Sequence, residues 1–90
     1  MITIFLNDTL PLKLLKAEYL SEKLFLKKIG LRIKEIRAEK NLSQQELAGL
    51  CEFEKSNMSR IEAGNTNPTI TILRKISKSL KIELADLLSF

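Results

Sequence analysis

The spacing of apolar residues predicts two amphipathic helices in the first half of the chain. Over residues 29–40 an apolar residue recurs every three or four positions, which is the spacing of one helix face. These residues are Ile29, Ile33 and Ile36. Residues 12–28 carry a wider apolar stripe, formed by Leu14, Leu15, Tyr19, Leu20, Leu24, Phe25 and Leu26. Gly30 either separates the two helices or lies within one continuous helix.

Residues 42–64 predict two short helices joined by a tight turn. Ser43 is a good N-cap and Glu46 follows three residues later, which together form a capping-box motif. Leu47, Ala48 and Cys51 then share one face of the first helix. In the second helix only Met58 and Ile61 are apolar, and Gly64 provides a left-handed C-terminal cap. Two helices with this separation form a helix-turn-helix, whose second helix can enter the major groove of DNA.

The rest of the chain is also predicted to be helical. After a loop over residues 65–68, Thr69 is expected to cap a helix, and the chain finishes in one or two helical turns. The apolar positions of these last helices are Ile72, Leu73, Ile76, Leu80, Leu84, Leu87 and Leu88. Residues 1–6 alternate weakly and favour a β-strand, but nothing after residue 28 does. We therefore expect an all-α domain.

Composition argues against an enzyme and against a metal site. The 90 residues suffice for one domain, and they include one cysteine and no histidine. A single cysteine excludes an internal disulfide and an ordinary cysteine-based zinc site, and no histidine is present as a metal ligand or general base; Cys51 is expected to be a buried core residue. We predict no metal, cofactor or small-molecule ligand. Since no apolar run approaches the roughly 20 residues that span a bilayer, we predict a cytoplasmic protein without a membrane partner.

The net charge of +4 favours a polyanionic partner, but the distribution of charge qualifies that inference. Residues 1–30 hold five lysines against three acids, whereas residues 31–66 hold six basic and six acidic residues. Any contacts with phosphate must therefore come from a few well-placed side chains and from the flanks of the central motif. On the polar side of the 29–40 helix, most charged residues are expected to face solvent; the basic ones are Arg32, Lys34, Arg37 and Lys40.

Residues from about 29 to 88 resemble the lambda-repressor-like helix-turn-helix domains, the Cro/repressor or XRE group of regulators. The matching segments are Ile-Gly-Leu-Arg-Ile-Lys-Glu-Ile-Arg, Asn-Leu-Ser-Gln-Gln-Glu-Leu-Ala, Met-Ser-Arg-Ile-Glu-Ala-Gly, Asn-Pro-Thr and Leu-Arg-Lys-Ile-Ser-Lys-Ser-Leu, in that order. The resemblance implies a compact five-helix domain over residues 29–88 and leaves residues 1–28 outside the family pattern. We therefore divide the chain into an N-terminal extension, residues 1–28, which contains the extra amphipathic helix predicted at 12–28, and a helix-turn-helix DNA-binding domain, residues 29–90.

The resemblance also implies roles for individual residues. The recognition helix, residues 55–63, would contact bases through Lys55, Ser56, Asn57, Ser59 and Arg60. The DNA backbone would be contacted by Gln44, Asn65, Thr66 and Asn67. The pair Arg37 and Glu62 would form a partly buried salt bridge that locks the first helix of the domain to the third.

Two features depart from the family pattern. The turn of the motif usually carries a glycine, an apolar residue and a Ser or Thr cap, but here it reads Glu52, Phe53 and Glu54. A non-glycine residue with positive φ costs on the order of 1 kcal/mol, and glutamate is a poor N-cap side chain. Gly49, inside the first short helix, adds a cost of about 1 kcal/mol relative to alanine.

These patterns together predict a sequence-specific regulator of transcription, most often a repressor, that binds a palindromic site in double-stranded DNA as a homodimer. The candidate dimer surfaces are the 12–28 helix and the end of the chain, residues 84–90. The 12–28 helix has two other interpretations, as a helix packed onto the domain or as one that lies on a membrane surface. The alternative function is a protein–protein interaction module or antitoxin component with the same fold.

Overall fold

The computed structural model describes residues 9–90, and the side chains from Leu15 onward. This part of the chain is all-α. It contains five helices, which are α1 (Thr9–Glu39), α2 (Gln44–Leu50), α3 (Lys55–Glu62), α4 (Ile70–Ser79) and α5 (Leu84–Leu87). The strand predicted for residues 1–6 lies outside the described residues, and no strand occurs within them. The prediction of an all-α, five-helix domain preceded by extra helix is confirmed, with the extra helix joined to the first helix of the domain.

Helix α1 is continuous through Gly30, which is the second of the two alternatives that the sequence left open for this glycine. Its 31 residues correspond to about 46 Å of helix. Gly30 is buried where α1 crosses α3. A Cβ atom at this position would lie 2.6 Å from the carbonyl oxygen of Ile61 and would overlap that of Glu62. The glycine therefore permits close contact between two helix backbones and does not interrupt the helix.

Local capping signals begin and end the helices where the sequence predicted. Ser43 and Glu46 form a reciprocal capping box at α2, and the Thr69 hydroxyl accepts a hydrogen bond from the Ile72 N–H at the start of α4. Within residues 9–90, four residues with left-handed backbone conformation lie just after the ends of helices α1 to α4. Their φ angles are 58° at Asn41, 60° at Glu52, 74° at Gly64 and 60° at Lys81. Only one of the four is glycine, so the other three turns carry some backbone strain.

The core consists of buried apolar side chains from all five helices and the residues that follow them. Its members are Ile29, Ile33, Ile36, Leu47, Ala48, Cys51, Met58, Ile61, Leu73, Ile76, Leu80 and Leu87. Three predicted core residues, Ile72, Leu84 and Leu88, are only partly buried at its edge. The Cys51 thiol is free and buried, as predicted, and donates a hydrogen bond to the Ser79 hydroxyl at 3.3 Å. Arg32 is half-buried and donates to the Asp86 carbonyl oxygen at 3.1 Å, a solvent-exposed hydrogen bond that ties α1 to α5.

The N-terminal half of α1 projects beyond this core. Leu15, Tyr19, Leu20 and Leu24 remain 53–61% exposed, so most of this segment is not packed onto the domain. Phe25 contacts the end of the chain, where its ring lies 5.7 Å from that of Phe90. No helix within residues 9–90 is long and apolar enough to cross a membrane.

Candidate nucleic-acid interface

Helix α3 presents one polar face to solvent and buries the other. Met58, Ile61 and Glu62 are buried against α1 and α2. All five side chains predicted to contact bases are exposed on the opposite face; they are Lys55, Ser56, Asn57, Ser59 and Arg60. That face bears two basic groups and no carboxylate, because the only acid within the helix is the buried Glu62. The structure therefore places the predicted residues together on one accessible helix surface.

The turn before α3 keeps its geometry without glycine. Glu52 adopts the left-handed conformation, and the Phe53 N–H donates to the Ala48 carbonyl oxygen at 2.8 Å, which closes the turn after α2. The Phe53 ring is half-buried beneath the Lys75 ammonium, which lies 5.8 Å from the ring centroid. Glu54 is the N-cap of α3 but makes no side-chain capping bond. The turn is therefore held by backbone hydrogen bonds and by the packing of Phe53.

A hydrogen-bonded group fixes α3 relative to α1 and α2. The Arg37 guanidinium donates to both carboxylate oxygens of Glu62, at 2.7 and 3.1 Å, and to the Leu42 carbonyl oxygen at 2.8 Å. The Gln44 side-chain amide donates to the same carboxylate at 3.0 Å. Only 3% of the Glu62 side chain is exposed. Because the carboxylate is buried and paired, Glu62 is unavailable to a base, and it holds Gln44 beside the exposed face of α3.

Asn57 and Arg60 interact with each other across one turn of α3. The Arg60 guanidinium donates to the Asn57 side-chain oxygen at 2.6 Å. This bond leaves the Asn57 amide hydrogens available and holds the guanidinium over the exposed helix surface. The two residues therefore form one polar unit, so a change in either side chain alters the orientation of the other.

The loop after α3 lies between that helix and α1. The Asn65 N–H donates to the Arg60 carbonyl oxygen at 2.9 Å. Asn65 and Asn67 are exposed and Thr66 is half-buried, so the three predicted backbone contacts occupy one short surface segment. A side chain at Gly64 would lie 2.8 Å from the Cα of Lys27, which shows how closely the loop approaches α1.

Helix α1 adds basic residues to this surface that were not among the predicted DNA contacts. Lys27 and Lys34 line the same hollow as Gln44 and Ser59. Lys23 lines a second hollow with residues 65–67. Their spacing of four and seven residues is the only signal in the sequence, and it indicates a shared helix face without indicating what that face adjoins.

Two ionisable groups, one at the start of α2 and one in the core, have shifted pKa values. Hydrogen bonds from the Ser43 backbone N–H and hydroxyl group lower the pKa of the Glu46 carboxyl, which favours its charged form at the start of α2. Burial raises the pKa of the Cys51 thiol, which therefore favours its neutral form. Across residues 9–90, no cluster of carboxylate and thiol groups is arranged to hold a metal ion.

Comparison with known proteins identifies relatives of the region from α1 to α5. A helix-turn-helix family model matches residues 33–87. The control protein C.BamHI of Bacillus amyloliquefaciens is 39% identical over 62 residues, which are 68% of this chain and 76% of C.BamHI. SinR, an HTH-type transcriptional regulator of Bacillus subtilis, is 44% identical over 61 residues, which are 67% of this chain and 55% of SinR.

The fold is also similar to solved structures. The crystal structure of C.AhdI, a restriction-modification controller protein from Aeromonas hydrophila, superposes with a TM-score of 0.68 and 35% sequence identity. The superposition covers 69% of this chain and 94% of C.AhdI. The N-terminal half of α1 lies outside the residues that the family model matches.

Proposed function

The chain belongs to the XRE-type helix-turn-helix family of DNA-binding transcription regulators, and we propose that it is a sequence-specific repressor that binds a palindromic site as a dimer. The observation that carries this proposal is the exposed face of α3. Five polar side chains project from it, while the opposite face is anchored in the core and by the Arg37–Glu62 ion pair. A rigid polar helix of this size suits the major groove.

The side chains of α3 match the hydrogen-bonding groups of base edges. Lys55 at the start of the helix can donate to guanine O6 and N7, and Ser56 can bond to either kind of base edge. Asn57 can form a paired contact with adenine N6 and N7 once its oxygen exchanges the Arg60 guanidinium for the base. Arg60, released from Asn57, would then reach a guanine or a phosphate, and Ser59 would add a further contact.

The DNA backbone would be held on both sides of α3. Gln44 lies at the N-terminus of α2, where backbone N–H groups and the helix dipole attract phosphate. Asn65, Thr66 and Asn67 lie on the other side, in the loop that follows α3. These contacts would set the register of the protein on the duplex, whereas the α3 side chains would select the sequence.

A dimer is proposed because a single recognition helix of eight residues offers few contacts with base edges. Two copies on half-sites about 34 Å apart would combine two weak interactions on one face of the duplex. The two candidate dimer surfaces predicted from the sequence, the N-terminal part of α1 and the end of the chain, contact each other through Phe25 and Phe90. Both the N-terminal part of α1 and the end of the chain expose apolar side chains, so a single dimer surface could include both.

The proposal is tested by selecting sequences from a randomised duplex pool with the purified protein. Binding to the selected duplex is then measured at several salt concentrations. The expected result is an enriched palindrome whose affinity falls steeply with salt. The spacing of the half-sites would then give the geometry of the dimer. Absence of enrichment together with a flat salt dependence would refute the proposal and would favour the alternative function, a protein-binding module.

Two substitutions separate base contacts from backbone contacts. Asn57→Ala should relax base preference at one position by about 1–3 kcal/mol. Gln44→Ala should weaken binding to all sequences alike, with Gln45→Ala, an exposed neighbour in the same helix turn, as its control. Thermal unfolding by circular dichroism would verify that each variant folds. Equal losses on every sequence for Asn57→Ala would contradict the assignment of Asn57 to a base.

A further inference from the structure

Four lysines form a single row along α1. Lys16, Lys23, Lys27 and Lys34 fall within a band roughly 40° wide around the helix axis, at 3.6 residues per turn. The row extends over 18 residues, or about 27 Å. The acidic residues of the same helix lie roughly 80° or more away from this band. They are Glu18, Glu22, Glu35 and Glu39. Among the side chains described from residue 15 onward, none of the four lysines forms an ion pair with a carboxylate.

The lysine row adjoins the candidate nucleic-acid interface along much of its length. Its C-terminal half shares a hollow with Gln44 and Ser59, and Lys23 shares another with Asn65 and Asn67. Lys16 lies a further two turns toward the N-terminus, about 10 Å beyond Lys23 and beyond the packed core. The row therefore begins beside the predicted phosphate contacts and continues past the end of the domain.

We propose that the lysine row is a second DNA-binding surface, which contacts the phosphates of the duplex flanking the half-site that α3 reads. The inference rests on the proposed function, since α3 must first dock in the major groove. The charge distribution supports the same surface. Residues 31–66, which contain the helix-turn-helix, carry equal numbers of basic and acidic residues, so this segment alone has no net attraction for a polyanion. Three of the four lysines, Lys16, Lys23 and Lys27, lie in the extension and supply that attraction.

DNA is favoured over an anionic membrane as the partner of the row. Three exposed leucines, Leu20, Leu24 and Leu31, lie next to the row on α1, and such a combination of basic and apolar residues also occurs in membrane-surface helices. The lysines, however, share their hollows with Gln44, Ser59 and residues 65–67, polar groups that are predicted to contact phosphate, although Leu31 and Leu26 also line these hollows. A bilayer that contacted the row would also meet this polar surface, whereas a duplex could contact both.

The double substitution Lys16→Gln and Lys23→Gln in the full chain tests the inference. Its control is Lys28→Gln and Lys78→Gln, which removes the same charge from exposed positions away from the row. Binding is measured on the duplex recovered by the selection, once with about one helical turn of flank on each side and once trimmed to the site. Circular dichroism would verify the helix content of both variants.

Loss of two phosphate contacts should make the negative slope of log K against log salt shallower by about 1.8 on the flanked duplex. This change in slope corresponds to an affinity loss of up to roughly 60-fold at about 0.1 M salt. On the trimmed duplex the loss should be much smaller, because only Lys23, which lies beside the 65–67 loop, remains within reach of a phosphate. An equal loss in the control variant, or an equal loss on both duplexes, would overturn the inference. The inference would also be overturned, in favour of a membrane, if the lysine variant bound the flanked duplex as tightly as the wild type but lost the wild type's binding to phosphatidylserine vesicles.

The two proposals can fail separately. If wild type enriches a site and Asn57→Ala relaxes base preference, but the lysine variant behaves as its control, only the lysine row is refuted. If wild type enriches no site and binds duplex without salt dependence, the proposed function fails and the inference fails with it.

Discussion

Removal of the Arg37 guanidinium is expected to destabilise the protein by about 3–5 kcal/mol, because it leaves a buried carboxylate without its charged partner. In the structure this guanidinium donates to both oxygens of Glu62, whose side chain is 3% exposed. After Arg37→Met, the carboxylate would retain only the Gln44 amide, at 3.0 Å. The loss is large beside the 5–15 kcal/mol that stabilises a typical domain.

Replacement of both members of the pair should cost much less than the sum of the single substitutions. Glu62→Met alone leaves the Arg37 guanidinium without its charged partner. Because this side chain is 14% exposed and still donates to the Leu42 carbonyl oxygen, the substitution should cost a free energy at the lower end of the same range. In the double variant two apolar side chains of similar volume occupy the site, and no buried charge remains. We expect a coupling free energy of about 2–3 kcal/mol between the two positions.

Urea unfolding followed by circular dichroism measures these free energies for the wild type, both single variants and the double variant. A constant m-value would show that each unfolding transition exposes similar surface, so that shifts in the midpoint report stability. Single losses that simply added in the double variant would contradict a coupled, buried pair. A cost below about 1 kcal/mol for Arg37→Met, the value of an exposed pair, would contradict it as well.

Further predictions concern three single positions. Gly30→Ala should destabilise by about 1–3 kcal/mol in urea unfolding, because its methyl group would collide with the Ile61 carbonyl oxygen. Glu52→Gly should raise stability by up to about 1 kcal/mol in the same assay, since it relieves a left-handed conformation and removes only an exposed ion pair. Cys51 should react with a thiol reagent far more slowly in the native protein than in urea, because it is buried and its pKa is raised. That raised pKa also predicts lower stability as the pH rises above the thiol's ordinary value, since the unfolded chain then releases the proton more readily. Fast native labelling would contradict the burial of the thiol.

Local signals in the sequence were sufficient to predict most of the helix boundaries and core positions. The capping box at Ser43 and Glu46 and the left-handed residues Asn41 and Gly64 depend on nearest neighbours in the chain, so they can be inferred without a tertiary structure. The same holds for the apolar spacing, because one helix face repeats every three or four residues wherever the helix is located. The ordered series of family motifs then identified the fold and the face of α3.

Other features depend on what each helix face meets in three dimensions, which spacing cannot reveal. Gly30 is compatible with a break or with close helix packing, and only its contact with the α3 carbonyl groups distinguishes the two. The apolar stripe of α1 predicts contact with some partner, yet it ends up buried from Ile29 onward and largely exposed before that residue. Likewise, the spacing of four lysines shows that they share a helix face, but only the packing of α1 against α3 and the 65–67 loop places that face beside the candidate nucleic-acid interface. Periodicity describes one helix at a time, whereas burial and the proximity of sites are properties of helix pairs.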